Sequence, residues 1–258
     1  MTNSYDFILD NIVYSYSSVN SYETCPHGFF LTYIEAEERG SNFYSEFGLL
    51  VHDILEKYFL CELDEKDLTN YFTEHYNEYV KSFPPPYPKN LGESYYEDGI
   101  SFFDNFTFDR ENFEVVFTEE KIESIQQDIK LVVKPDLLLK EKSTGKYILV
   151  DYKTSKLKGS KYDFKKLEGY KRQLNLYAYF TWIEKEIKTD EIWIFFIRNN
   201  DIMKMEINHD DIIETIEWFT STIGKIKDDE QWVANTDKSN SYFCSNLCGV
   251  RMSCEKNK

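Results

Sequence analysis

The stretch ILVDYKTSK, residues 148–156, ends an apolar run with an acid and a base two positions apart. Such a run belongs inside a sheet, and strand side chains alternate between its faces. Leu149, Asp151 and Lys153 therefore share one face, while Ile148, Val150 and Tyr152 share the other. Buried charge is costly, so both charged groups have to emerge at the strand's end, where water reaches them.

Two runs of similar character come before it, FEVVFTEEKIESI and QDIKLVVKPDLLLKEK, each read as one strand, and Ser143-Thr144-Gly145 supplies the turn into KYILVDYKT. A hairpin at that turn sets Asp136, at the start of one strand, beside Asp151, at the end of the next. Helical spacing dominates up to about residue 111. It predicts two short helices over 15–34, capped by Ser17 or Ser18 and broken at Cys25-Pro26, then helices over 43–60, 65–81 and 94–106. Beyond the strands come a helix over 162–187, a hairpin of EIWIFFIR and DIMKMEIN around Asn199-Asn200, and a helix over 209–227. The expected fold is α/β, with a mostly antiparallel strand group flanked by helices. It forms one domain over 1–258, with a helical region over 1–111, an α/β core over 112–230 and a tail over 231–258.

The chain opens MTNSYDFILDN, without the basic start and apolar core of a signal peptide, and no apolar run approaches the length of a membrane span. The expectation is a cytoplasmic protein with no membrane partner and no structural disulfides. A formal net charge of -16 argues against indiscriminate coating of nucleic acid. Basic residues are nevertheless gathered: over 153–172, Lys153, Lys156, Lys158, Lys161, Lys165, Lys166, Lys171 and Arg172 face only Asp163 and Glu168, a local net of +6. Such segregation suits a chain that holds a polyanion at one place only.

Two carboxylates held close together repel, and a divalent cation with oxygen ligands relieves the repulsion. A lysine beside that cation can orient a water, stabilise its deprotonated form or neutralise charge on a phosphate. Asp136, Asp151 and Lys153 have the parts for phosphodiester hydrolysis, and Glu119 or Glu120 can extend the same wall. His52, in the helix GLLVHDILEKYF, is a candidate further ligand. Gln173 and Tyr177 share a helix face in YKRQLNLYAYF and can hydrogen-bond the lysine or a phosphate. No phosphate-binding loop of the G-x-x-x-x-G-K-S/T type is present, so ATP-driven unwinding would come from a partner.

The tail FCSNLCGVRMSC spaces Cys244, Cys248 and Cys254 as C-x3-C-x5-C, and ETCPHGFF places Cys25 more than two hundred residues upstream. Four thiolates complete a set for zinc or for an iron-sulfur cluster, and spacing does not choose between them. Cys61, alone at a helix end, reads as structural.

The succession VHDILE, KPD, DYK and QLNLYA resembles the RecB-type branch of the PD-(D/E)XK nucleases, over about residue 17 to the C-terminus. The resemblance implies a restriction-endonuclease-like mixed sheet flanked by helices. It implies magnesium or manganese held by His52, Asp136 and Asp151, with Lys153 assisting the attacking water and Gln173 and Tyr177 contributing to the site and to DNA contacts. Iron-sulfur members carry one cysteine before the nuclease core and three after it, which is similar to Cys25, Cys244, Cys248 and Cys254 and implies a four-iron four-sulfur cluster. Lys134-Pro135 ahead of Asp136, and C-x3-C in place of the common C-x2-C, are departures from the family pattern. The implied function is a metal-dependent deoxyribonuclease, an exonuclease on single-stranded or frayed DNA, with Lys156 to Arg172 guiding the backbone and a helicase or other recombination or replication protein as partner. The alternative is a catalytically idle iron-sulfur module in a recombination, CRISPR-adaptation or phage replication complex.

Overall fold

The periodicities of the sequence resolve into regular elements in a computed structural model that describes residues 4–157, 159 and 161–255, and the side chains of all of these except 161 and 162. The chain begins with α1 (Asp6–Leu9), a two-residue strand β1 (Val13–Tyr14), α2 (Tyr16–Thr24) and α3 (Pro26–Tyr33). The cap of α2 is Ser15, not Ser17 or Ser18. Ser15 Oγ accepts from the Ser18 N–H at 3.1 Å and Ser18 Oγ accepts from the Ser15 N–H at 2.8 Å. This reciprocal box satisfies two amide groups at once, which a cap one turn later could not do. Pro26 opens α3, where its missing N–H leaves nothing unpaired.

Helices α4 (Phe43–Phe59), α5 (Leu68–Tyr79) and α6 (Leu91–Asn105) follow. In α4 the buried positions Phe47, Leu50, Val51, Ile54, Leu55 and Tyr58 recur at helical spacing. Gly99 of α6 lies against the ring of Phe72 in α5, and a Cβ there would overlap it. The strands are β2 (Phe113–Thr118), β3 (Ile122–Gln126), β4 (Ile129–Val133), β5 (Leu137–Glu141) and β6 (Tyr147–Lys153). The long helix α7 (Lys161–Lys185), strands β7 (Glu191–Phe196) and β8 (Asp201–Glu206), and helices α8 (His209–Asp228) and α9 (Ser241–Asn246) complete the chain.

Each of the two long apolar runs is two strands rather than one. The first breaks at Glu119, which is left-handed at φ 48°, and the second at Lys134-Pro135, where proline lacks the N–H a ladder needs. The halves enter different sheets: β1, β4 and β3 form one of three strands, while β2, β5, β6, β7 and β8, in that order, form the other. Gln127 and Asp128, both at positive φ, make the tight turn between β3 and β4. In the larger sheet β6 pairs antiparallel with β5 and parallel with β7, so the sheet is mixed.

Two compact units result. One comprises the residues up to Asn42, Glu123–Val133 and Ile213 onward; the other comprises Phe43–Ile122 and Lys134–Ile212. The second has its core where Phe47, Ile54 and Phe72 of the helices meet Leu139, Val150 and Phe195 of the sheet. Its inner strands β5 and β6 are buried on both faces. In the first unit Trp232 stacks on Phe29 at 5.9 Å and tilts against Phe30 at 5.6 Å, fastening the chain after α8 to α3. Among the described residues, no helix is long and apolar enough to cross a membrane.

Candidate active site

Three neighbouring strands of the larger sheet deliver acids to the same edge. The β5–β6 register pairs Leu137 with Val150, and continuing it by one step sets Asp136 opposite Asp151, as the hairpin at Gly145 requires. The β2–β5 register pairs Thr118 with Leu137, so the next step sets Glu119 opposite Asp136, whose carbonyl accepts the Glu119 N–H at 3.0 Å. A bulge between Val115 and Phe117 makes this phase. It sets Glu119 opposite Asp136 where the unbulged register would set Thr118, and Glu120 pairs with Lys185. The bulge is invisible in the composition of FEVVFT, which is why sequence reasoning stopped at the doublet.

Helix α4 brings His52 onto this row. Its Nδ1 lies 3.2 Å from Glu119 Oε1 and 3.6 Å from Asp136 Oδ1, and one ligand atom from each of the three lies within 4.8 Å of the other two. An imidazole with two carboxylate oxygens in that span could hold a divalent cation of the magnesium or manganese kind. Asp136 Oδ2 accepts the Tyr152 N–H at 2.7 Å, which fixes the carboxylate against the sheet edge. Lys134, next but one to Asp136, reaches Glu119 Oε2 at 2.5 Å and was not anticipated.

Electrostatics follow from burial of this many charges. Burial and the neighbouring Asp151 push the Asp136 carboxyl up to about 7, against the opposing pull of His52, Lys153 and the Tyr152 N–H. For His52 burial works against the charged ring, yet Asp136, Glu119 and Asp151 together raise it. Glu119 is lowered: its burial is outweighed by hydrogen bonds to His52 and Lys134. Burial disfavours the Lys153 ammonium too, but Asp151 and Asp136 prevail and hold it protonated.

Lys153 Nζ sits 2.7 Å from Asp151 Oδ2 in a buried ion pair. It donates to Gln173 Oε1 at 3.0 Å, and Gln173 Nε2 donates to Tyr177 OH at 2.8 Å. The i, i+4 pair on α7 thus fixes the lysine by a directed chain. The Tyr170 ring beneath the ammonium, 4.7 Å away, is a further neighbour the sequence did not single out.

The basic segment is less uniform than its composition suggests. Lys156 pairs with Asp98 at 3.2 Å, and Asp98 also accepts from Arg198 Nε at 2.8 Å, so that lysine is engaged within the fold. Lys171 lies 3.8 Å from Glu168, Lys165 is exposed, and Lys166 and Arg172 are half-buried. Lys158 and the side chain of Lys161 lie outside the described residues.

In the other unit, Cys25, Cys244, Cys248 and Cys254 line one cavity, with Gly28, Asn235 and Val250 among its walls. The Gly28 and Asn235 N–H groups both donate to Cys25 Sγ at 3.4 Å. Burial, with the nearby thiols, raises Cys244 and Cys248. Among the described residues no three of these sulfurs lie within 4.8 Å of one another. Tetrahedral zinc, with bonds of about 2.3 Å, would draw its sulfurs to about 3.8 Å apart. Cys61, just past α4 at φ 60°, is exposed and packs into no core.

A family model described as "PD-(D/E)XK nuclease superfamily" matches residues 13–255. Among solved structures the chain is similar to the crystal structure of a "Putative exonuclease" from Eubacterium rectale. The TM-score is 0.55 at 14% identity, over 97% of this chain and 90% of that one, a likeness of fold. No curated protein matches the sequence. The mixed sheet flanked by helices is that of a restriction-endonuclease-like fold.

Proposed function

The chain belongs to the PD-(D/E)XK nuclease superfamily, and from that premise we propose that it is a divalent-metal-dependent deoxyribonuclease of the RecB-like branch, an exonuclease acting on single-stranded or frayed DNA. The observation that carries this reading is the meeting of His52, Glu119 and Asp136 beside the fixed Lys153. His52, Glu119, Asp136 and Asp151 would hold magnesium or manganese, which when bound lowers the pKa of a water and neutralises phosphate charge. Asp151 and Gln173 hold the Lys153 ammonium in place as a positive charge beside the candidate ion. It therefore stabilises the negative charge that builds on the attacking oxygen and the phosphate, the role of a preorganised electrostatic group. Tyr177 acts on Lys153 through Gln173.

The cysteine cage supports a four-iron four-sulfur cluster held by Cys25, Cys244, Cys248 and Cys254. The four cysteines on one cavity, with two amides donating to Cys25 Sγ, offer the thiolate set such a cluster takes, and zinc is the alternative occupant. Its part is structural, joining the two ends of the chain. Cytoplasmic residence fits the free thiols, and a helicase or recombination partner would supply strand separation.

The test is digestion of end-labelled DNA with magnesium or manganese. Lys153→Ala is expected to cleave about 10²- to 10³-fold more slowly than the native chain. Equal degradation by both proteins, or none by either, would overturn the reading in favour of a catalytically idle interaction module.

A further inference from the structure

The chain has 46 acidic residues, yet Lys81 to Lys89, KSFPPPYPK, contains none and carries two lysines. Its start is pinned from below. Glu46, a buried residue of α4, accepts the Lys81 N–H at 2.9 Å and the Ser82 N–H at 2.6 Å on one oxygen, and the Ser82 hydroxyl at 2.7 Å on the other. Immediately beyond Phe83 the chain is pinned again, because Pro84 packs so closely on Gly92 of α6 that a Cβ there would meet it at 3.1 Å. The prolines restrict the backbone between these anchors. Phe83 is nonetheless 95% exposed and Tyr87 72% exposed. Two aromatic rings on a fastened loop, left in water, are surfaces already ordered for something to stack on.

The loop's surroundings say what. Gly48 of the same helix α4 faces Thr154, the residue after Lys153, and His52 lies six residues beyond Glu46, a rise of about 9 Å. The stem is thus bonded to the helix that supplies the imidazole of the candidate site. Exposed aromatics interleaved with lysines, in a chain otherwise strongly acidic, complement unpaired bases on a phosphate backbone. We propose that Phe83 and Tyr87 form a single-strand contact, stacking on unpaired bases while Lys81 and Lys89 meet the flanking phosphates. This rests on the nuclease reading and names which form of DNA the site is fed.

The test is fluorescence anisotropy of the full chain with a labelled oligothymidylate and with a blunt duplex, in EDTA so that nothing is cleaved. Phe83→Ala is expected to weaken oligothymidylate binding about tenfold, within the range for one base stacked on one ring. Phe83→Trp should keep the affinity, while duplex binding and the melting temperature stay unchanged, since the side chain packs on nothing. Unchanged single-strand affinity in Phe83→Ala/Tyr87→Ala, or failure of the native chain to bind the oligothymidylate, overturns the proposal; the former would make the loop a docking surface for a protein. Cleavage that depends on Lys153 alongside unchanged affinity sinks the loop alone. Affinity lost with Phe83 but no metal-dependent cleavage sinks the nuclease reading and leaves the loop standing.

Discussion

The acidic row and the cysteine cage both gather residues remote in sequence, but they are held together by different means. Glu119, Asp136 and Asp151 are set side by side by strand registers whose inner strands are buried on both faces. Cys25 caps an eight-residue helix, and the other three cysteines lie in or beyond a six-residue one, near the chain's end. Short helices are marginal by themselves, so the cage depends on what ties it together. A sheet edge can wait for its ion with its ligands in place. The cysteine cage rests instead on loops and two short helices.

That contrast can be broken by experiment. The largest effect is expected at the cage. Cross-linking a loop of about 220 residues is worth about 5 kcal/mol, so under the proposed cluster Cys248→Ser should lack a visible chromophore and melt far below the native chain. Normal melting and metal content would remove the staple. The next effect is at the row, where Lys153→Ala should lose about 3–4 kcal/mol of transition-state stabilisation with little change in melting temperature. A matching loss of stability would show that the lysine is structural.

A third prediction concerns the sign of the pH dependence. In the metal-free protein Asp136 keeps its proton up to about 7 when folded, but loses it near 3.8 when unfolded. Its contribution to stability is therefore undiminished below pH 4, declines as pH rises from about 4 to 7, and is at its most unfavourable above that. Asp136→Asn should abolish cleavage and, without metal at pH 8, raise the melting temperature by about 2–4 °C, the shift that about 1 kcal/mol produces in a chain of this size. Excess magnesium should remove that advantage, because binding requires the charged carboxylate and releases its proton. Calorimetry at pH 6 and 8, with and without magnesium, checks all of this, and an unchanged difference under magnesium would detach Asp136 from the ion. The smallest effect belongs to Gln173→Ala, which should slow cleavage by about 0.5–1.5 kcal/mol, the net worth of one ordinary hydrogen bond, since Asp151 still holds the ammonium. No change in rate would mean that Asp151 alone orients Lys153.

Much of this was legible from local pattern. The turn at Ser143-Thr144-Gly145 brought Asp136 opposite Asp151, and four-residue spacing joined Gln173 to Tyr177, because each depends on one hairpin or one helix face. What could not be read depends on neighbours distant in sequence. The partner of Lys156 is Asp98, fifty-eight residues away, and so a lysine counted as a DNA contact is held by the fold. The division of FEVVFTEEKIESI between two sheets turns on the left-handed Glu119, a residue type that gives little sign of that conformation. Lys134-Pro135, noted as a departure from the family pattern, is where the second run divides.

The bulge in β2 makes Glu119-Glu120 more than a repeated letter. A strand that slips by one residue ordinarily turns its whole functional face away from the site. Here a slip of one residue in one direction would set Glu120 opposite Asp136 in place of Glu119, while a slip in the other, by loss of the bulge, would set Thr118 there, so the doublet protects the row against one error of phase and the bulge against the other.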